Sequence, residues 1–453
     1  MNSKSKTWLI IASILLVCVL AVQCLFAAGV FPLKPKEADT DPAEDLVFES
    51  LHRDGYELEQ VVIFSRHNIR SPMSGKGSVL ETITPHEWFP WSSNASELSL
   101  RGGVLETEMG QYFRKWLESE GLFPENYHPE DGAVRIYANS KQRTIATAEY
   151  FVSGLLPTAN MPIEVQGEYD KMDPVFNPCL TYVSPEYSED AKAQIMEKFG
   201  DDIKGLSDNL ELLADVIDMK ESSGWKDGTV KAFDPEDLEL NFELGKEPSA
   251  KGSLKTGCSV SDAMVLQYFE EADPVKAAFG KELTSEQWLS ISEIKDVYGD
   301  VLFGAPIVAC NVAHPLLMEI ESELKTEGRE FTFLCGHDSN VTSVLASLGV
   351  DEYELPGAIE KTPIGCKIVF CKWKASDGSK YISVDLVYQT VEQLKGMPLL
   401  DLENIPGNTA LSFSAIKANE DGLYAEKDFM DLLRKSIDEY DRIIDVYEME
   451  DAA

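Results

Sequence analysis

Paired cysteines and histidines are scarce in this chain. Its 453 residues hold six histidines and eight cysteines, with no CxxC pair and no HExxH segment. Zinc-site spacing is therefore absent, and no metal or other cofactor is expected. Basic side chains are scarce as well: 40 Lys and Arg face 78 Asp and Glu, for a formal charge of −38. A surface of that sign repels nucleic acid and anionic lipid, which removes both as partners. It also repels phosphorylated small molecules, so any phosphate site must gather its arginines locally. No internal repeat or low-complexity tract occurs. What is present is ample apolar material, 44% of residues with 9% aromatic. That is enough to pack a core without a disulfide framework, and the length implies two or three domains.

One long uncharged run exists, residues 7–33, preceded by Lys4 and Lys6. Positive and then apolar is the order of an export signal, and Ala27-Ala28-Gly29 offers small residues for cleavage. Residues 1–29 are read as a signal peptide, or, since the run is long enough to span a bilayer, as an uncleaved anchor. Either way the protein is expected to be exported, periplasmic or secreted. Gln23 before Cys24 argues against lipid attachment. Residues 30–45, rich in proline and acid, read as a linker. Removing residues 1–29 takes away two lysines and no acid, leaving 38 basic against 78 acidic side chains and a charge of −40.

Residues 61–65 (VVIFS) are a β-branched apolar run of the kind that forms a buried strand. Strand-like runs recur at 134–138, 331–335, 367–373 and 381–388. Between them lie helical patterns. Residues 103–120 carry Leu105, Met109, Tyr112, Phe113, Trp116 and Leu117 at helical spacing, with Gly121 as a stop. Ser140 is placed to cap a helix bearing Ile145, Ala148, Phe151, Val152 and Leu155. Val341, Val344, Leu345 and Leu348 mark a third helix. Strands alternating with helices imply an α/β sheet covered on both faces. Residues 181–299 differ: they are acidic and helix-rich, with expected caps at Ser259-x-x-Asp262 and Thr284-x-x-Gln287. They read as a helical cap inserted into a core of residues 46–180 and 300–453. Cys366 and Cys371, five residues apart in one strand, would sit about 16 Å apart on opposite faces and cannot bond each other.

Two segments carry the chemistry. Arg66-His67-Asn68-Ile69-Arg70-Ser71-Pro72 follows the first strand directly, setting two cationic forks beside a histidine. Gly336-His337-Asp338-Ser339-Asn340 follows another strand and opens a helix, whose N–H groups and dipole favour an anion. Arg143 falls in the first turn of its helix, where a cation is disfavoured by about 0.3–1 kcal/mol unless an anion is bound. A basic turn with a packing histidine, a simple helix cap at Asp338, and a solvent-facing Arg143 are the plain alternatives, and each grows weaker as the three occur together.

The first segment resembles the R-H-G-x-R-x-P signature of the histidine acid phosphatases, in the R-H-N-x-R-x-P form of the bacterial glucose-1-phosphatases. The second resembles their H-D motif. Leu100-Arg101-Gly102-Gly103, Ala138-Asn139-Ser140-Lys141-Gln142-Arg143-Thr144, the 173–178 stretch and Thr362-Pro363-Ile364-Gly365 are similar too, so the resemblance covers residues 55–440. It implies a phosphoglycerate-mutase-like open α/β core with a helical cap. It further implies hydrolysis of phosphate monoesters through a phosphohistidine, without metal. By position, His67 would be the nucleophile and Asp338 the general acid. Arg66, Arg70, Arg143 and His337 would hold the phosphate. Ile416 and Tyr424 stand where related enzymes carry a cysteine pair, so that disulfide is not expected. Asn68, Met73 and the absence of a second basic cluster near the motifs, Lys76 aside, favour small sugar phosphates over phytate. The competing readings are a phytase and a non-catalytic phosphosugar-binding protein.

Overall fold

The computed structural model describes residues 46, 48–74 and 77–451. The export segment, the 30–45 linker and Lys76 lie outside them. The β-branched run at 61–65 lengthens into an eleven-residue strand, β1 (Tyr56–Arg66), in the middle of a seven-stranded sheet. The chain continues through β2 (Val134–Ala138), a small separate hairpin of β3 (Glu239–Asn241) and β4 (Ser249–Lys251), β5 (Phe331–Gly336), β6 (Lys367–Ala375), β7 (Lys380–Tyr388), β8 (Gly407–Ala410) and β9 (Tyr424–Ala425). Across the main sheet the order is β2-β5-β1-β6-β7-β8, with β9 also paired to β7. β5 is parallel to both β1 and β2, and the remaining pairings are antiparallel.

Register decides where the site forms. Arg66 lies opposite Gly336, and Ala138 opposite Cys335. The three parallel strands thus end level, and the residues after them, His67, His337 and Asn139, share the sheet's carboxyl edge, where open α/β sheets place ligands.

Strand alternation feeds two cores. Val62, Phe64, Ile368 and Phe370 face one side, and Val61, Ile63, Val369 and Cys371 face the other. Each such buried aliphatic or aromatic side chain stabilises the fold by about 1.5–3 kcal/mol. Cys366 and Cys371 fall in opposite cores, and all six described cysteines are free.

Helices α1 (Leu100–Ser119) and α2 (Gln142–Leu155) cover the second face with Met109, Phe113, Phe151 and Leu155. α1 starts three residues earlier than the periodicity suggested, because the Ser99 hydroxyl accepts from the Gly102 N–H at 3.0 Å. α2 corrects the cap assigned to Ser140: Lys141 occupies that position. The Asn139 side chain already takes the Ser140 N–H at 2.8 Å, and the Thr144 hydroxyl reaches back to the carbonyls of Asn139 and Lys141. The first turn therefore begins one residue later, and Arg143 remains in it. The helices touch through glycines. A Cβ on Gly110 would come within 2.1 Å of the Phe151 carbonyl.

Helices α3 (Pro185–Gly205), α4 (Ser207–Val216), α5 (Ser253–Glu270) and α6 (Ser285–Phe303) pack around a further apolar cluster that includes Ile195, Leu210, Val260 and Ile291. The capping box at Thr284 and Gln287 is present. The one expected at Ser259 is not: that residue lies inside α5 and donates to the Lys255 carbonyl at 3.1 Å. α5 begins instead at Ser253, whose N–H is held by the Asp237 carboxylate at 2.6 Å. The chain then returns to the sheet through α7 (Pro306–Lys325), α8 (Asp338–Leu348) and α9 (Glu426–Asp451). Among the described residues no single helix is long and apolar enough to cross a membrane.

Candidate active site

His67 is the first residue beyond β1, and its N–H donates to the Gly336 carbonyl at 3.0 Å. Its ring Nδ1 lies 2.9 Å from the carbonyl of Asn68. A carbonyl only accepts, so Nδ1 carries the proton and Nε2 keeps a free lone pair. Burial, reinforced by the charges of Arg143 and Arg70, pushes the imidazole well below its ordinary pKa. The ring is therefore neutral.

The turn carrying His67 is clamped from below. The Asn68 side chain donates to Glu106 Oε2 at 2.8 Å and accepts from the Ile69 N–H at 2.8 Å. Glu106 Oε1 pairs with Lys367 Nζ at 2.7 Å, and both side chains are fully buried. Lys367 also donates to the Ser65 hydroxyl and the Gly365 carbonyl. Two glycines of the sequence motifs belong here. Gly365 has φ +70° and a Cβ on it would sit 2.6 Å from Asn68 Nδ2, and a Cβ on Gly102 would sit 2.4 Å from the Ile69 carbonyl oxygen.

All six residues singled out from the sequence converge. His67, Arg70, Arg143, His337 and Asp338 line one cavity of about 1060 Å³, and Arg66 lies behind Asp338 with its Nη2 3.3 Å from Oδ2. His67 and His337 meet edge to face, with ring centres 5.5 Å apart. Arg66 is held by Glu360 at 2.9 Å and by the Thr362 carbonyl. Arg70 is held by Asp262 of α5, at 3.0 and 3.3 Å. Arg143 Nη2 faces His337 Nδ1 at 3.3 Å, and burial, then Arg70, lowers its pKa to about 10. Among the described residues the Nε atoms of all three arginines are buried without a hydrogen-bond partner. An unmet buried donor costs about 1–3 kcal/mol, which an anion in the cavity could relieve only at Arg70 and Arg143, the two that line it.

Asp338 is the first residue of α8, with His337 as the cap. Burial alone would raise its carboxyl. Arg66, then Lys295 at 3.9 Å, more than offset this and hold it well below the usual carboxylate range. His337 is pushed well below its ordinary value by burial and by Arg143, and so is neutral.

A profile of the histidine phosphatase superfamily (branch 2) matches residues 57–389. The chain belongs to that family. This histidine phosphatase is 36% identical to a glucose-1-phosphatase of Providencia rettgeri over 92% of its own length and 98% of that protein's. It is also 36% identical to a glucose-1-phosphatase of Salmonella typhimurium, over 82% of this chain and 90% of that one. Among solved structures, the apo phytase of Hafnia alvei superposes with a TM-score of 0.78 at 26% identity, covering 86% of this chain and 99% of the phytase.

Sequence reasoning missed several residues of this histidine phosphatase's cavity. Lys295 comes from α6 and bonds Glu360, which also holds Arg66. Glu360 stays ionised there: burial pushes its carboxyl up, but Lys295 and Arg66 bring it below its usual range. The expected lack of a second basic cluster is corrected. Lys141, Lys255, Lys295 and Lys361 all reach the cavity wall, from segments far apart in sequence. Acids accompany them: the wall holds six cationic side chains and six carboxylates. His314 packs against Tyr440, away from the site, with ring centres 4.3 Å apart.

Proposed function

We propose that this protein hydrolyses small phosphate monoesters, sugar phosphates foremost, through a phosphohistidine on His67. The observation that carries the reading is the pairing of a neutral His67, protonated on Nδ1, with Arg70 and Arg143 on the same cavity wall and Arg66 behind Asp338. Arg66, Arg70, Arg143 and His337 would bind the non-bridging oxygens. Nε2 attacks phosphorus, and the P–O ester bond breaks as Asp338 delivers a proton to the leaving oxygen. Water then attacks the phosphohistidine, Asp338 takes its proton, and phosphate leaves. Asp338 is ionised at rest, so a phosphate dianion beside it, or an acidic medium, is needed to load the proton. An acidic working range follows. Helices of residues 181–299 would form the cap over the cleft.

The sugar-phosphate choice rests on two supports. The glucose-1-phosphatases share 36% identity. On the cavity wall the six cations also stand among six carboxylates rather than forming an open basic surface for a polyanion. Met73 on that wall adds no donor. A phytase reading draws on the four cavity lysines, but Lys141, Lys295 and Lys361 are paired with Asp170, Glu360 and Asp300. Export of the mature chain, expected from residues 1–29, fits an enzyme that scavenges phosphate outside the cytoplasm.

Rapid acid-free quenching with a ³²P-labelled monoester tests the mechanism. The wild type is expected to trap acid-labile label and the His67→Ala protein none, with turnover abolished. Substantial turnover in a folded His67→Ala protein removes the nucleophile assignment. A kcat/KM for phytate above that for glucose 1-phosphate at both low and moderate salt overturns the substrate choice alone.

A further inference from the structure

Asn139 follows β2 and is wholly buried. Its side-chain amide uses all four of its hydrogen-bonding capacities. Oδ1 accepts from the backbone N–H groups of Ser140 at 2.8 Å and Asp173 at 2.9 Å. Nδ2 approaches His337 Nε2 at 2.6 Å and Met172 Sδ at 3.3 Å. Backbone N–H groups only donate, so the amide cannot be turned over: its NH₂ would then face two donors. The atom against His337 is therefore a donor, and Nε2 of His337 must accept.

A neutral imidazole has one N–H, and with Nε2 accepting it lies on Nδ1. That nitrogen also meets donors, an N–H of Arg143 Nη2 at 3.3 Å and the Asn340 N–H of the capping turn, and the shorter contact, 2.6 Å to Asn139, decides between the two tautomers. The Nδ1 and Arg143 donors are thus turned toward one another on the cavity wall, and a single anionic oxygen placed against both would satisfy both.

We propose that Asn139 is a positioning residue that fixes His337 as the Nδ1–H tautomer, presenting an uncharged donor, beside Arg143, to a phosphate oxygen. Asn139 acts through His337 and does not itself reach the reacting atoms. The identity of the anion rests on the phosphatase reading above; the tautomer does not. The arrangement has a catalytic consequence. A charged His337, with its ring centre 5.5 Å from that of His67, would add a cation that weakens the nucleophile and holds the product phosphate. The charged groups facing His337 are Arg143 and Lys141 from the α2 segment, Arg70 from the loop after β1, and Asp338 from α8. His67 faces it as a neutral ring.

The test is long-range ¹H–¹⁵N correlation NMR on ¹⁵N-histidine-labelled full-length protein at pH 5 and pH 7, with and without inorganic phosphate. His337→Gln assigns the signals. The expected wild-type pattern for His337 is Nδ1–H at both pH values. In Asn139→Asp a carboxylate accepts where the amide donated, so Nε2 gains a proton, and with Nδ1 still donating to bound phosphate His337 is an imidazolium. Inhibition by inorganic phosphate should then tighten about tenfold, as one neutral hydrogen bond becomes charge-assisted. An Nε2–H or imidazolium pattern in the wild type overturns the proposal, and so does an unchanged His337 spectrum in a folded Asn139→Asp protein. If that variant does not fold, the wild-type spectrum decides alone. An Nδ1–H pattern in a protein that releases phosphate from no monoester supports the tautomer and overturns the phosphatase reading.

Discussion

Replacing Lys295 with glutamine removes one of the two cations that hold Asp338 ionised. Its Nζ lies 3.9 Å from Asp338 Oδ2, while Arg66 remains at 3.3 Å. Two unit charges about 4 Å apart interact by about 1 kcal/mol in water and about 4 kcal/mol at an effective dielectric of ~20. The Asp338 side chain is 34% exposed, which places it between those limits. A loss of about 1–3 kcal/mol corresponds to a rise of roughly 1–2 pKa units. The stranded charge of Glu360, which Lys295 now bonds, pushes the same way. The sign follows directly. Asp338 is depressed, so its protonated form is lost as pH rises through a low value. Raising that value keeps the acid loaded to higher pH. The assay is the pH profile of kcat/KM on an alkyl phosphate, whose leaving group needs the proton, with p-nitrophenyl phosphate as control. The alkaline limb should move upward by about one unit or more on the alkyl ester and little on the control. If Lys295 only binds phosphate, the amplitude falls on both substrates and the limb stays put. A static limb, or one that moves downward, refutes the reasoning.

Asp338→Asn keeps the shape and loses the proton. Alkyl phosphates should slow by about 10²–10⁴-fold and p-nitrophenyl phosphate far less, and equal losses on the two would contradict an acid role. Lys367→Met strands the fully buried Glu106 and should cost about 3–5 kcal/mol in denaturant unfolding. A loss under about 1 kcal/mol would mean that the pair does not support the His67 turn as described.

Much of the scaffold could be read locally. The apolar faces named for α1 and α8 are buried, because helical spacing forces those side chains to one side whatever lies opposite. The junctions at His67 and His337 were visible for a similar reason: an apolar strand-like run that gives way to polar residues, with Pro72 after the first and Gly336 at the second, marks a strand's end. The errors were also local in origin. Ser140 has the chemistry of a cap, but Asn139 takes its N–H first, and Ser259 and Asp262 have a cap's spacing yet lie mid-helix.

The sequence by itself determined the strand-to-turn positions of the two histidines, the arginines beside them, and the charge that makes those arginines necessary. Each rests on residues within a few positions of one another. Only the tertiary structure decided that β1, β2 and β5 end level, so that Arg66, Asn139 and His337 share one edge. It also decided which distant charges meet: Lys367 with Glu106, Lys295 with Glu360, Arg70 with Asp262. Such pairs carry no local signal, because a buried lysine and a solvent-exposed one look alike in sequence. What separates them is desolvation, and that is set by every element packed around the pair.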